Sequence, residues 1–129
     1  MEWLLLAAVV ASSGVVSVPD LVEHAADFQG RIVEVHGWMG ECQPLGCFIH
    51  ATQVGAGRHM LDADHHEWIS IGAASRDFDK KATALRGQFV GIRARFDGTC
   101  LDDKTTICLD RVAELQPEKA NSLFPVKDH

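Results

Sequence analysis

At 129 residues, with 47% of them apolar and 23% charged, the chain is one domain, long enough to bury a core without help from a metal or disulfides. Twelve Lys and Arg stand against 18 Asp and Glu, a net charge of −6, which argues against non-specific nucleic-acid binding because that depends on basic side chains neutralising phosphates. With no Tyr, six Phe and three Trp, few rings remain to build a stacking platform for single strands.

The chain opens on an uninterrupted apolar run, Trp3 to Ala11, followed by Ser12, Ser13 and Gly14. The run is too short for a transmembrane helix, which takes about 20 apolar residues. An apolar stretch ending in small residues is the pattern of a secretory signal peptide, although Met1-Glu2 supplies no Lys or Arg ahead of it. Residues 1–16 are therefore expected to be a signal peptide, cut near Ala11 to Gly14, leaving an exported chain with no transmembrane segment. An apolar strand or helix packed on the core is the alternative.

Ser17-Val18-Pro19-Asp20 has the chemistry of a helix start: a capping hydroxyl, a proline tolerated in the first turn, and an acid at the positive end of the helix. Leu21, Ala25 and Phe28 then fall on one helical face, and Gly30 stops the helix. From Gly30 to Met39 apolar residues recur at every second position. Val33, Val35, Gly37 and Met39 share one face of the predicted strand, and Glu34, His36 and Trp38 share the other. Gly46 to Ala51 predicts a second strand, Thr52 to Glu67 a long polar connection, and Trp68 to Gly72 a third strand. Phe78, Ala82 and Leu85 repeat the helical spacing, Gly87 stops that segment, and Gly87 to Phe96 predicts a fourth strand. Its inner face carries Val90, Ile92, Ala94 and Phe96, and its outer face Arg93 and Arg95. Asp97-Gly98 signals a turn, and a fifth strand opens at Thr106 and runs to about Leu115 before Gln116-Pro117 stops it. The domain is thus expected to span 17–116, with 117–129 a loosely ordered C-terminal tail.

Two parts of this layout are copies. Gly30 matches Gly87, Val33 matches Val90, Val35 matches Ile92 and Met39 matches Phe96, all 57 positions apart. The repeat extends into the preceding helices and comprises a short helix, a glycine stop and a strand. Two copies are too few for a solenoid. Either two similar halves pair within one barrel, or one local solution occurs twice.

Four cysteines fall in two close pairs, Cys42 with Cys47 and Cys100 with Cys108. An even number in an exported chain implies disulfides, with three connectivities open. Pro44 and Gly46 in one intervening segment, and Asp102-Asp103-Lys104 in the other, favour the local pairings Cys42–Cys47 and Cys100–Cys108. A four-thiolate zinc site fits the spacing poorly.

Two constellations could carry chemistry. One is the outer strand face: His36 and Trp38 on one copy, Arg93 and Arg95 on the other. Arg suits phosphates and carboxylates, and Trp suits stacking, so a small anionic ligand or a protein partner is the expected occupant. The other is a His- and Asp-rich loop from His59 to Glu67, in which His59, Asp64, His65 and His66 are the candidate metal ligands. An exposed, solvated loop between two strands is the favoured reading of that composition. No Gly-x-Ser-x-Gly or Cys-x-x-Cys is present, so neither a hydrolase nor a thiol oxidoreductase has its parts. No catalytic residues and no cofactor are expected.

The order helix, strand, strand, strand, helix, strand, strand predicts a mainly β fold, a five-stranded OB-fold-like barrel with one or two short helices. Gly30 to Met39, Trp68 to Ile71 and Leu85 to Asp97 together resemble small exported bacterial OB-fold-like proteins of unknown function. The matching motifs are structural and lie within roughly residues 20–116. The chain departs from the pattern at Ala94, where Gly is common, and in its cysteine-bearing loops. The resemblance implies a non-enzymatic binding or interaction module of the bacterial cell envelope, and the signal peptide makes the periplasm the expected location. A metal-binding protein using loop 59–67 is the alternative.

Overall fold

In a computed structural model, described for residues 14–43, 46–57, 67–72, 75–98 and 113–127, the chain is mainly β with a few short helices. Ser17 starts the first helix as its chemistry demands: the hydroxyl accepts the backbone N–H of Asp20 at 3.2 Å. Helix α1 (Val18–Glu23) follows, His24 interrupts, and a second turn, α2 (Ala25–Phe28), completes the segment. Of the face the spacing predicted, Leu21 and Ala25 are buried and Phe28 partly so, and Val18 and Val22 are buried beside them.

The barrel strands are β2 (Ile32–Gln43), β3 (Gly46–His50), β4 (Trp68–Gly72), β5 (Phe89–Asp97) and β6 (Glu114–Gln116). β2 pairs β3, β3 pairs β4, β4 pairs β6 in parallel, β6 pairs β5, and β5 returns to β2, so the five strands close. Closure removes the edges an open sheet would leave. Between them lie α3 (Gln53–Ala56), inside the long polar connection expected from the sequence, and α4 (Arg76–Ala84), capped by the Ser75 hydroxyl accepting the Phe78 N–H at 3.0 Å. Inside the barrel Val33, Val35, Met39, Ile49, Ile69, Ile71, Val90, Ile92, Phe96 and Leu115 form the core, closed off by Leu21 and Phe78.

The repeated strands pair with each other, and the pairing is symmetric. β2 and β5 run antiparallel in continuous register from Ile32 opposite Arg95 to Trp38 opposite Phe89. Val35 therefore sits opposite Ile92, its own counterpart in the repeat. The hydrogen bonds at the two ends exchange in the same way. Gly30 N–H donates to the Phe96 carbonyl at 2.9 Å, and Gly87 N–H donates to the Met39 carbonyl at 2.8 Å. Phe96 N–H donates to Arg31, and Met39 N–H donates to Gln88, both at 2.9 Å. Gly30 and Gly87 have φ of +76° and +84°. Two similar halves thus meet across a local two-fold relation inside one barrel.

Two elements differ from the sequence expectation. β1 (Val15–Ser17) runs parallel to β2, with Val16 beside Val35, so Val15 and Val16 belong to the folded domain and not to a removable segment 1–16. A cut at Ala11 to Gly14 leaves this strand intact; residues 1–13 lie outside the described part. The tail expected to be loosely ordered is also built in. A 3-10 turn (Ala120–Ser122) leads to β7 (Leu123–Pro125), which pairs antiparallel with β5. Leu123, opposite Ile92, is fully buried, and its burial supplies what the polar composition of the tail concealed. Among the described residues no helix is long and apolar enough to cross a membrane.

Cys42 and Cys47 face each other across β2 and β3 and are disulfide-bonded. A loop this short constrains the unfolded chain by only about 2 kcal/mol. Cys100 and Cys108 lie outside the described residues.

The paired glycines give a direct test of the symmetry. A Cβ added at Gly30 or Gly87 meets nothing within 4 Å, so the cost of alanine is the left-handed backbone alone. Gly30→Ala and Gly87→Ala should each destabilise by about 1–2 kcal/mol, and by similar amounts, in chemical denaturation. A large cost at one site with none at the other would break the equivalence.

Candidate functional site

The alternation of β2 and β5 puts their polar residues on the outside of the barrel. Four cross-strand rows result: Ile32 with Arg95, Glu34 with Arg93, His36 with Gly91, and Trp38 with Phe89. The structure thus brings together all four strand-face residues singled out from the sequence, His36, Trp38, Arg93 and Arg95. The flanking strands widen the face. β1 adds Ser17 beside His36, and β7 adds Phe124 beside Gly91.

The centre of the face is aromatic. Trp38 and Phe89 meet edge to face at 5.3 Å, and His36 stands edge-on to Phe89 at 6.1 Å and to Phe124 at 6.3 Å. Gly91 makes this possible: a Cβ there would come within 2.5 Å of the Phe124 ring and 3.1 Å of His36. These rings are only partly buried. Phe89 could have been placed on the face by its alternation with Arg93. Phe124 had no such signal, since a three-residue strand in a polar tail shows no period.

The charged groups of the face are held in different ways. The Glu34 carboxylate lies 2.9 Å from His36 Nε2 through Oε2 and 3.5 Å from Arg93 Nε through Oε1. This orients the imidazole against the aromatic rings. Even with this pairing, the Arg93 side chain is 70% exposed. Arg95 differs, because its Nη1 donates to the Gly30 carbonyl at 2.6 Å. That bond ties the end of β5 to the glycine turn that begins β2, so Arg95 is a structural tie.

A second layer covers the outer side of β3 and β4. Phe48, His50, Trp68 and Ser70 alternate with the core residues of those strands and are buried nonetheless. Phe48 and Trp68 meet edge to face at 5.7 Å, and Ser70 Oγ donates to the Ala113 carbonyl at 2.9 Å. Trp68 is buried in this outer layer and not inside the barrel. His50 Nδ1 is buried without a hydrogen-bond partner among the described residues.

The loop residues His59, Asp64, His65 and His66 lie outside the described part. Among the described residues no group of three or more His, Cys, Asp or Glu side chains is arranged to hold a metal.

No family model matches the chain, and no curated protein matches it. A solved structure titled "OBody AM3L09 bound to hen egg-white lysozyme" is similar at 15% identity, over 80% of this chain and 88% of that chain, with a TM-score of 0.46. A likeness that distant transfers no function.

The two arginines should respond differently to truncation. Arg95→Ala should lower stability by about 1 kcal/mol through the lost bond to Gly30. Arg93→Ala should stay within about 0.5 kcal/mol. Urea denaturation of both variants checks this, and equal effects would remove the distinction.

Proposed function

We propose that this protein is a non-enzymatic binding module, an OB-fold-like barrel exported to the bacterial periplasm, which engages its partner through the outer face of β2 and β5. The observation that carries this reading is Arg93. Its side chain stays 70% exposed while paired with Glu34, beside a cluster of four rings that meet edge to face. Aromatic side chains and Arg are the residues that dominate binding energy at protein interfaces. A flat sheet face of half-buried rings offers contact area at little entropic cost, and the guanidinium supplies directional recognition of a carboxylate or phosphate. The partner is therefore a protein surface, or a smaller molecule, that presents an anionic group next to an apolar patch.

Export is supported by the apolar N-terminal run and by the Cys42–Cys47 disulfide, a bond that persists in oxidising compartments. In OB folds the usual binding surface is around the second and third barrel strands, here β3 and β4. That surface is closed by buried Phe48 and Trp68, which favours the β2–β5 face.

The test is co-purification from the native host with tagged wild-type protein, Arg93→Ala, and Arg76→Ala as a remote surface control. A partner retained by wild type and control should be lost from Arg93→Ala. Measured on the purified pair, its affinity should fall about 30-fold, the scale of a 2 kcal/mol interface residue, with melting temperature unchanged. Equal affinity in all three would rule out this face.

A further inference from the structure

We propose that His50 makes α3 a pH-operated cover on the outer face of β2 and β3, closed while the imidazole is neutral and released when the ring takes a proton. The argument begins with the space around the ring. His50 ends β3 and is 1% exposed. On one side it lies against Gly40, where an added Cβ would stand 2.5 Å from Nε2. On the other it lies against Gly55 of α3, where an added Cβ would stand 3.6 Å from Nδ1. The pairing of β2 with β3 slips between Met39 and Cys42, a bulge containing Gly40, and the ring occupies the room this makes. The imidazole is thus clamped between a strand and a single helical turn, each reaching it through a residue with no side chain.

Nδ1 has no hydrogen-bond partner in this clamp among the described residues. The neutral ring can leave that nitrogen as a bare acceptor. A protonated ring would place a donor and a positive charge there, with nothing to receive either. The charged groups near it do not change the balance. Glu41, next to Gly40 on β2, favours the proton, but burial outweighs it and holds the ring below its ordinary value of 6.5. Neither α3 nor β4 carries a titratable side chain. The one other such group on β3, Cys47, is in the disulfide. Glu67, just ahead of β4, is exposed and meets the segment through its backbone carbonyl, which accepts the Ala51 N–H at 2.8 Å.

Of the elements around the ring, α3 is the one that can yield. β2 and β3 are held by ladders on the barrel, whereas α3 is four residues long. It is held by the Thr52 hydroxyl accepting the Gly55 N–H at 2.9 Å, by the Thr52 carbonyl accepting the Ala56 N–H at 3.1 Å, and by burial of Gly55 and Ala56. The sign follows from linkage. The released ring binds a proton at its ordinary value and the clamped ring only at lower pH. The closed form therefore keeps its full stability above about 6.5 and loses it as pH falls between the two values, at most about tenfold in the opening equilibrium per pH unit.

Amide hydrogen exchange of the wild-type protein between about pH 7.5 and about pH 5, normalised for intrinsic rates, tests this. Protection at Gly55, Ala56 and Gly57 should fall, by at most about tenfold per unit, as pH drops from about 6.5 to the lower His50 midpoint read by NMR, and level off below it. Protection at Val35 and Ile92 should stay level over the same range. In His50→Gln, protection at the α3 amides should not vary with pH. The proposal is overturned if α3 protection stays flat between about pH 6.5 and the His50 midpoint, if its fall persists in His50→Gln, or if the fall does not level off once His50 has titrated.

Discussion

The antiparallel ladder between β2 and β5 is the interaction on which the other elements depend. It joins the two copies of the helix–glycine–strand repeat, and it sets Val35 against Ile92 at the centre of both. Every other strand attaches to one of these two except β4, which bridges β3 and β6. β1 and β3 take successive lengths of the remaining edge of β2. β7 and β6 do the same for β5. The glycines at φ +76° and +84° reverse the chain from helix into strand on each side of the ladder. They do so at equivalent places, so both helical segments return to pack on the barrel: Leu21 and Phe78, at matching positions of the repeat, are both fully buried.

The same ladder also produces the outer face. Alternation sends Val33, Val35, Val90 and Ile92 inward and leaves Glu34, His36, Trp38, Phe89 and Arg93 outward on two adjacent strands. Glu34 links the imidazole and the nearer arginine, and Phe124 arrives from β7 over the gap left by Gly91. The barrel core and the candidate binding face are thus two sides of one pairing. The β3–β4 side is different, since both faces of those strands are buried and the outer layer holds a histidine nitrogen without a partner among the described residues.

Much of this was legible because period-two patterning is a strong signal over eight or more residues. Both long strands, their inward and outward residues and the glycine stops follow from it, and so does the mainly β barrel. The Ser17 cap was legible because Ser-x-Pro-Asp has one structural use there. Short elements were not legible. β1 and β7 are three residues each, and such a strand is defined by the partner edge it completes and not by its own pattern. For that reason the tail after Pro117 reads as polar chain even though Leu123 fills the core. The candidate site was legible as a set of outward residues but not as a division of labour. The sequence shows two arginines on one face; only the fold shows that Arg95 reaches Gly30 and Arg93 does not. His50 was invisible as a buried group because its surroundings, Gly40 and Gly55, come from different elements.

The central claim is that the β2–β5 ladder is the part of the molecule that opens last. Native-state hydrogen exchange over a series of sub-denaturing urea concentrations measures this directly. The hydrogen-bonded amides of Ile32 to Trp38 and of Phe89 to Arg95 should exchange only through global unfolding, with an opening free energy equal to that from equilibrium denaturation. The edge strands β1 and β7 and the turn α3 should open at lower cost. Exchange of the β2–β5 amides through a smaller opening, while β3 and β4 remain protected, would contradict the account.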